Sequence, residues 1–527
     1  MRYQQVLWQG QPLDYRPRDT GLQVRVPDTV TPNDTSTYRI SYRCRPRKGI
    51  YFTGWQDSTF RARRQIWTQG QGIDHRHWIP HHDDQRDKVQ FSLQVHFASG
   101  YQVMSNGERR AAYDTTEGMR VWRYRMKRPM SSYLIALAIG RYDTVRTFSA
   151  SGVPLTQYYY PERADDYPWY YRHNERIFNF LERRIGIPYP WGPYRQAPVR
   201  NFRHGAMENT TATIFGDFML VDSIAFQDRN YTYMNAHELA HQWHGNMVTA
   251  TGSAHHWLHE GFATYYQWLS EAELYGPEQA LWNRHEAAQQ VFAASQQDSF
   301  PLGHPQAGSA RFYQKGAWVV HMLEQKLGTA LLDSALRYYL RRNAYGTVTT
   351  DSLRSALEHT CQCDLRAFFQ QWVHSPGEPV VRAQDRSSDG LRLSLQKQGA
   401  ARLRLPIITY RDSLPLDTSW WVGPGGQMKD QLTLGDLSGS SSGTLYWKIG
   451  DLEHWLVRAQ VDKPLEMWKA QYRYGSSLLD RYRAVAAVEN HTGPQARQFL
   501  LKVLSRKDEH HGPRSAALRL LVERSSY

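Results

Sequence analysis

The chain has 527 residues, a formal net charge of +14 and 41% hydrophobic residues. This length predicts about three or four domains rather than one core. The hydrophobic content is too low for a membrane protein, and the longest apolar run near the start, at 133–140, is far shorter than the roughly 20 residues that a spanning helix needs. The arginines are scattered and no zinc-finger, RNP or basic-zipper pattern occurs, which favours a solvated basic surface over a nucleic-acid partner.

Sequence periodicity changes three times along the chain. Residues 1–143 alternate apolar and polar positions, as in GLQVRVP and VQFSLQVHF, which predicts strands. Residues 144–376 contain segments with helical spacing that end at glycine, such as ERIFNFLERRIG. Short strand patterns return at 377–461, and residues 462–527 are helical with two weakly similar segments that suggest a helical repeat.

The cysteines and the first residues do not identify the cellular compartment of the protein. Cys44, Cys361 and Cys363 suggest neither a disulfide framework nor a thiolate metal site. The opening residues lack the apolar core of a signal peptide. We expect a periplasmic or secreted protein if a leader has been lost, and a cytoplasmic one otherwise.

A histidine-rich stretch begins with the pattern H-E-x-x-H, formed by His237, Glu238 and His241. Residues four apart share one face of a helix, so both imidazoles can reach one metal ion and Glu238 can reach a water beside it. A site on His241 and His244 would instead put Gln242 where the general base must be, and a glutamine cannot accept a proton from water. We therefore predict a metal site on His237 and His241, with Glu238 as the base.

Spacing does not identify the third ligand. Four candidates follow, and if a helix begins near Trp257, two of them face the same way: His256 and Glu260. The other two candidates are His255 and His259. Catalytic zinc is known with three histidines and with two histidines and a carboxylate. From the residues alone, His256 and Glu260 are equal candidates.

The same strings resemble the aminopeptidase-N family of zinc metallopeptidases, the gluzincins. Its pattern is H-E-x-x-H, 18 residues, and a glutamate inside W-L-N-E-G-F-A, where this chain has WLHEGFA. The resemblance implies one Zn²⁺ per chain, held by His237, His241 and Glu260. The chain departs from the family at His259, where Asn is usual, and at Gln267, where many members carry a glutamate that supports the site.

The segment HGAMEN contains the family's G-A-M-E-N motif. In the family this motif lies extended beside the substrate, and its glutamate binds the free α-amine. The resemblance implies that Glu208 anchors the amine, and that the substrate backbone and first side-chain pocket are lined by Gly205, Ala206 and Met207. A protonated amine needs a carboxylate at a fixed distance from the scissile carbonyl, which agrees with this role.

Two further strings match the family. FYQKGAWVV resembles its Y-x-K-G helix, which implies that Tyr313 donates a hydrogen bond to the oxyanion of the reaction. WTQGQGIDHRHW resembles a loop of the first domain that reaches the active site, which implies that Gln71 lies near the substrate amine. The neighbouring histidines make a second metal site conceivable, but we expect surface or structural roles for His75, His77, His81 and His82.

The resemblance covers most of the chain in the family's domain order. It implies a multidomain α+β protein: a β-rich N-terminal domain at 1–143, a thermolysin-like α/β catalytic domain at 144–376, a small β-sandwich at 377–461 and a helical-repeat segment at 462–527. The family's first domain usually begins earlier and its helical domain is longer. We therefore expect a chain that is clipped at both ends.

These observations predict a zinc-dependent aminopeptidase that removes the N-terminal residue from peptides with a free amine. The alternatives are a related zinc endopeptidase, a leukotriene-hydrolase-like epoxide hydrolase, or an inactive binding protein on the same scaffold. An inactive scaffold is expected to lose a ligand or the base, and this sequence keeps them all. We expect no nucleic-acid partner and no transmembrane segment.

Overall fold

The computed structural model describes most of the chain. The described residues are 1–18, 21–25, 35–59, 62–385, 392–398, 403–423, 429–433 and 443–525. They form a mixed α/β structure with a β-rich N-terminal domain and a helical C-terminal region. Within these residues, no helix combines the length and the hydrophobicity that a bilayer crossing requires.

The chain divides into two compact units. The first contains Met1–Gly252 and Ala335–Ala356, and the second contains Ser253–Ser334 and Leu357–Tyr527. Two helices contain residues of both: Thr329–Arg342 and Thr350–Cys361.

Antiparallel sheets make up the first part of the first unit. One sheet has the strand order Gln102–Ser105, Leu137–Gly140, Gln65–Thr68, Ile50–Thr53. A second has the order Glu108–Asp114, Met119–Arg125, Ser92–Ala98. Their buried side chains cluster in one core: Ile66, Val103, Trp122, Tyr124, Leu137 and Ile139. The apolar run 133–140 is buried, and its strand begins at Leu137, after a 3-10 turn.

The remaining strands of this part form small antiparallel sheets. One contains Gln11–Pro12, Arg2–Trp8 and Tyr38–Arg43. The others pair Tyr15–Arg18 with Gly21–Val24, and Met130–Ser131 with Lys88–Val89.

A five-stranded mixed sheet follows in the first unit. Its order is Asp143–Phe148, Pro154–Tyr159, Tyr194–Val199, Ala212–Gly216, Ala206–Met207. The three middle strands are parallel, and both outer pairs are antiparallel. The short strand Ala206–Met207 thus forms one edge of the sheet, which leaves its outer side available to an extended chain.

Helices and one small sheet complete the first unit. The helix Asn174–Ile185 buries apolar residues three or four positions apart and ends at Gly186, whose left-handed φ of 70° suits a helix end. A short parallel pair joins Thr249–Ala250 to Thr347–Val348. The other helices are Tyr167–Tyr170, Ala225–Asp228 and Thr232–Ala240.

Helices form the first part of the second unit. They are Trp257–Tyr275, Pro277–Gln297, Gly316–Leu327 and Arg366–Phe369, with π-helical turns at Ala310–Lys315 and Gln370–His374. Helices Trp257–Tyr275 and Gly316–Leu327 touch at Gly261 and Gly316. A Cβ atom on Gly261 would lie 2.8 Å from the main chain of Gly316, so this approach requires glycine.

Two sheets and four helices form the rest of the second unit. The first sheet has the order Lys429–Thr433, Arg392–Gln398, Val380–Asp385, Arg458–Asp462, and the second has the order Leu414–Gly423, Leu403–Arg411, Leu445–Ile449. The helices are Leu465–Tyr474, Leu478–Ala486, Pro494–Ser505 and His511–Ser525. These helices share a core that includes Trp468, Val485, Leu500 and Leu520.

One cysteine pair corrects the sequence expectation. Cys361 and Cys363 form a disulfide, and Cys44 is a free thiol. The pair is easily missed from spacing because only Gln362 separates the two cysteines. The chain turns there with a φ of 52°, which brings the two Cα atoms to 5.2 Å.

Candidate functional site

The first two predicted ligands lie at the end of one helix. Helix Thr232–Ala240 stops just before His241, which keeps a right-handed helical conformation. The His241 N–H bonds to the carbonyl oxygen of His237, so the four-residue spacing still stacks the two side chains. Both residues are buried, and their Nε2 atoms lie 3.1 Å apart. Two ring nitrogens at this distance could both reach one metal ion.

His244 supports this arrangement through its main chain. His241 donates from Nδ1 to the carbonyl oxygen of His244 at 3.0 Å. That bond fixes the proton on Nδ1 and leaves the Nε2 lone pair for a metal. Burial lowers the pKa of His244 itself to about 3, so its ring is neutral. His244 is therefore a packed neighbour of the two proposed ligands.

The predicted base and the predicted amine anchor meet in the first unit. Glu208, Glu238 and His241 each offer a ligand-type atom, and these atoms lie within 4.8 Å of one another. Both carboxylates are buried. A protonated amine at Glu208 would therefore sit beside the carboxylate that can take a proton from water.

Glu208 is held by its main chain and by its carboxylate. Its carbonyl oxygen accepts hydrogen bonds from Gln242 Nε2 at 2.9 Å and from Asn246 Nδ2 at 2.7 Å. The Tyr133 hydroxyl donates to Glu208 Oε1 at 3.4 Å. Gln242 also accepts the N–H of Thr211 at 3.0 Å through Oε1. These contacts fix the segment after strand Ala206–Met207 to the residues that follow helix Thr232–Ala240.

In the second unit, Glu260 lies on helix Trp257–Tyr275, which begins at the residue that the comparison of His256 with Glu260 assumed. Glu260 is 2% exposed, and its Oε1 is 3.2 Å from Nε2 of His256. The two residues that spacing left equal therefore face the same way, and one contacts the other. Glu260 therefore offers a buried carboxylate, the ligand type that the resemblance implies beside two histidines. Two histidines and one carboxylate fit catalytic zinc.

Tyr313 lies in the second unit on the π-helical turn Ala310–Lys315, where the sequence predicts an α-helix. Two fully buried cations fix this turn on either side of Tyr313. Arg311 donates to the carboxylate of Asp298 at 2.6 Å, and Lys315 pairs with the buried carboxylate of Glu378 at 2.9 Å. Neither contact could be predicted from the sequence, because the partners lie on distant segments.

Comparison with protein families identifies two matched regions. Residues 169–372 match the peptidase family M1 domain, and residues 10–134 match the peptidase M1 N-terminal domain. Together the two regions cover more than half of the chain. The chain belongs to peptidase family M1. M1 is a metallopeptidase family, in agreement with the H-E-x-x-H region.

Relatives of the M1 chain carry aminopeptidase names. This chain is 26% identical to Aminopeptidase M1 of Arabidopsis thaliana over 351 residues, which are 64% of this chain and 40% of that protein. It is 24% identical to glutamyl aminopeptidase of Bos taurus over 60% of this chain and 34% of that protein. It is 27% identical to leucyl aminopeptidase of Saccharolobus solfataricus over 66% of this chain and 45% of that protein. The M1 chain spans less than half the length of each relative.

The residues that the resemblance assigns to the substrate backbone and first side-chain pocket lie at one edge of the mixed sheet. Gly205 precedes edge strand Ala206–Met207 with a φ of 83°, and a Cβ there would lie 2.9 Å from the Met234 side chain. Met207 is buried, and Gln69 Nε2 donates to its sulfur at 3.2 Å. Gln71 is exposed, two residues further along the same loop. Gln69 belongs to the same string as Gln71, WTQGQGIDHRHW, but no pattern in that string marks it as a contact of Met207.

The histidines after Gln71 have structural partners in the M1 chain. Trp78 donates to His75 Nδ1 at 2.9 Å, and His81 lies 3.3 Å from the Asp83 carboxylate. His77 lies 3.8 Å from Asp74, and His82 lies 3.4 Å from Asp87. In the part of the chain that the structure describes, two groups of side chains could hold a metal ion, and neither contains any of these four histidines. The structural role that we expected agrees with these contacts.

The two residues that differ from the usual family strings, His259 and Gln267, both contact other side chains. His259 is 2% exposed, and its ring lies 5.4 Å from that of His256. Gln267 donates to Glu271 Oε2 at 3.1 Å, and Asn283 donates to the same oxygen at 2.8 Å. Burial raises the pKa of Glu271 to about 7. The amide of Gln267 is thus engaged with a carboxyl further along its own helix.

Proposed function

We propose that the chain is a zinc-dependent aminopeptidase that hydrolyses the N-terminal residue from peptides with a free amine. The observation that carries the proposal is the meeting of Glu208 and Glu238 beside His241, within 4.8 Å. This pairing combines an anionic amine anchor with a base beside a metal ligand. Membership of family M1 and the aminopeptidase names of the relatives support the same activity.

We propose one Zn²⁺ per chain, with His237, His241 and Glu260 as its ligands. The donor set, the burial of all three residues and the Nδ1 bond of His241 support this assignment. When bound, zinc supplies Lewis-acid polarisation of the scissile carbonyl and a lowered pKa for a water molecule.

The proposed mechanism uses four further side chains. Glu238 takes a proton from the attacking water and passes it to the leaving amine. Tyr313 donates a hydrogen bond to the oxyanion that forms at the scissile carbonyl. Glu208 binds the α-amine of the substrate, with Gln71 as a second contact. Such fixed contacts orient the scissile bond and limit cleavage to one residue at a time.

The sheet edge at Gly205, Ala206 and Met207 is proposed to hold the substrate backbone and the first side chain. The position of strand Ala206–Met207 at the end of the mixed sheet supports this role, because an edge strand has unpaired main-chain groups.

We also propose the domain limits 1–143, 144–376, 377–461 and 462–527. The second would be a thermolysin-like catalytic domain, the third a small β-sandwich and the fourth a helical-repeat segment. The five-stranded mixed sheet, the two sheets between Val380 and Asp462 and the four terminal helices support these assignments in turn.

A substrate comparison on the purified chain tests the proposal. We expect bound zinc and hydrolysis of aminoacyl-naphthylamides, with little cleavage of their N-acetylated counterparts. Glu208→Ala removes a charged hydrogen bond of about 1.5–3 kcal/mol, so kcat/KM for free-amine substrates should fall roughly 10- to 150-fold. The exposed Glu175→Ala is the matched control. Equal cleavage of acetylated and free substrates would contradict the exopeptidase assignment and favour an endopeptidase.

A further inference from the structure

A basic cavity of about 570 Å³ lies in the first unit, apart from the side chains assigned above. This volume falls within the roughly 300–1,000 Å³ of small-molecule sites. Four charged side chains contribute to its wall: Glu108, Arg109, Arg146 and Arg195. They come from strand Glu108–Asp114 and from two strands of the mixed sheet.

The one carboxylate in the wall is already neutralised from outside the cavity. Glu108 Oε1 lies 2.6 Å from the Lys127 ammonium, and Oε2 lies 3.0 Å from Arg110. The hydrogen bond from Lys127 is the main cause that lowers the pKa of Glu108. Neither Lys127 nor Arg110 lines the cavity. The wall therefore presents three cations whose charge Glu108 does not offset.

Arg195 is a preorganised cation in this wall. It is 8% exposed, and its Nη1 donates to the carbonyl oxygen of Gly107 at 2.6 Å. Its guanidinium also lies 5.5 Å from the centre of the Tyr124 ring. Among the described residues, its Nε and Nη2 groups have no hydrogen-bond acceptor. A nearly buried guanidinium with unused donors favours an anion from solvent.

The other two arginines add charge to the same wall. Arg109 and Arg146 are exposed, and within the described parts of the chain no carboxylate lies at ion-pair distance from them or from Arg195. Hydroxyl donors also line the cavity, from Thr144, Ser151 and Thr156. Guanidinium groups bind phosphate and sulfate oxygens with paired hydrogen bonds, and hydroxyl groups bind the remaining oxygens.

We propose that this cavity binds a small organic phosphate or sulfate, with Arg109, Arg146 and Arg195 on the oxyanion. The cavity is larger than a single oxyanion requires, which leaves room for an organic group. The site is independent of the peptidase proposal, because none of its residues belongs to that machinery.

Calorimetric titration with phenyl phosphate and with inorganic phosphate tests the proposal. We expect the chain to bind both anions, phenyl phosphate more tightly, and both more weakly as salt rises. Arg109→Gln together with Arg146→Gln should weaken binding at least about tenfold, which corresponds to roughly 1.4 kcal/mol. The matched control carries Arg16→Gln and Arg123→Gln, two exposed arginines that do not line the cavity, and should bind like the parent.

The results separate the two parts of the proposal. Equal binding by the parent and the Arg109/Arg146 variant would overturn the site, as would no binding by the parent. Equal affinity for the two anions would overturn the organic part. A second measurement needs no variant: phenyl phosphate should protect Arg109 and Arg146 of the parent from phenylglyoxal, while Arg123 stays reactive. Modification of all three arginines at unchanged rates would contradict the proposal.

Discussion

His241 donates a hydrogen bond from Nδ1 to the main-chain oxygen of His244, with 3.0 Å between the two atoms. Because a carbonyl oxygen accepts this bond, the ring proton of His241 is on Nδ1. The bare Nε2 then lies 3.1 Å from Nε2 of His237. His244 thus orients the proposed ligand His241 through its backbone and needs no imidazole for that role.

This relationship predicts different effects at the two histidines. His241→Gln should abolish stoichiometric zinc, because it removes a ligand nitrogen. His244→Gln keeps the carbonyl acceptor and should retain zinc. Elemental analysis of the two purified variants, with circular dichroism as a folding control, checks the prediction. Zinc loss in a folded His244→Gln protein would show that its side chain matters to the site.

The base assignment predicts a variant that keeps the metal and loses the reaction. Glu238→Gln has nearly the same shape but cannot accept a proton from water, so kcat should fall by about 10²- to 10⁴-fold. Zinc content should be unchanged. Steady-state rates with an aminoacyl-naphthylamide, compared with the exposed Glu175→Gln variant, measure the effect. Turnover near that of the parent would remove Glu238 from the base role.

The ligand pattern was predictable where it depended on local spacing. Four residues of helical rise bring His237 and His241 together, and helix Trp257–Tyr275 begins where the comparison of His256 with Glu260 assumed. The same rule put His256 and Glu260 on one side, but spacing could not show that one contacts the other. That contact depends on side-chain rotamers and burial.

Contacts between distant segments were not predictable from the sequence. Gln242 was considered only as an unsuitable base, yet its amide bonds both to Glu208 and to the Thr211 N–H. Gln69 contacts Met207 across 138 positions of sequence. The π-helical turn around Tyr313 also escaped prediction, because apolar periodicity in this string resembles that of an ordinary helix.

The glycine contact between two helices predicts a steric defect. Gly261→Ala would place a Cβ atom 2.8 Å from the Gly316 main chain, so the helices must separate. Overpacking of this kind lowers the free energy of unfolding by about 1–3 kcal/mol. Because Glu260 is the adjacent residue, kcat/KM should fall as well, by up to about 10²-fold for a displacement near 1 Å.

Gly308→Ala is the matched control for this change, because a Cβ atom there meets nothing within 4 Å. Urea unfolding and steady-state kinetics on both variants make the comparison. Two variants of equal stability and activity would mean that the helices tolerate the methyl group.

Lys315, on the turn that carries Tyr313, forms a buried ion pair with Glu378. This pair predicts a strong energetic coupling between the two side chains. Lys315→Met leaves the Glu378 carboxylate buried without its cation, which costs about 3–5 kcal/mol of the free energy of unfolding. The double variant Lys315→Met, Glu378→Met should lose less than the sum of the two single variants, because it leaves no unpaired charge. The exposed Lys326→Met is the control. Additive losses in a double-mutant cycle would show that the pair is not coupled.

The buried ring of His75 predicts a pH dependence of stability. Burial is the main cause that lowers its pKa from 6.5 to about 4, while the Asp83 charge and backbone hydrogen bonds oppose the shift. The unfolded chain therefore binds this proton more tightly than the folded chain. The contribution of His75 to the free energy of unfolding is largest above pH 6.5, and it falls by about 1.4 kcal/mol per pH unit as the pH drops toward 4.

His75→Gln removes the titration and keeps an acceptor for Trp78. The stability difference between parent and variant should be constant above pH 6.5 and should shift against the parent as the pH falls toward 4. Urea unfolding of both proteins across this range measures it, and the paired comparison removes the effect of other groups that titrate in the same window. A difference that stays constant across the range would contradict a neutral, buried His75.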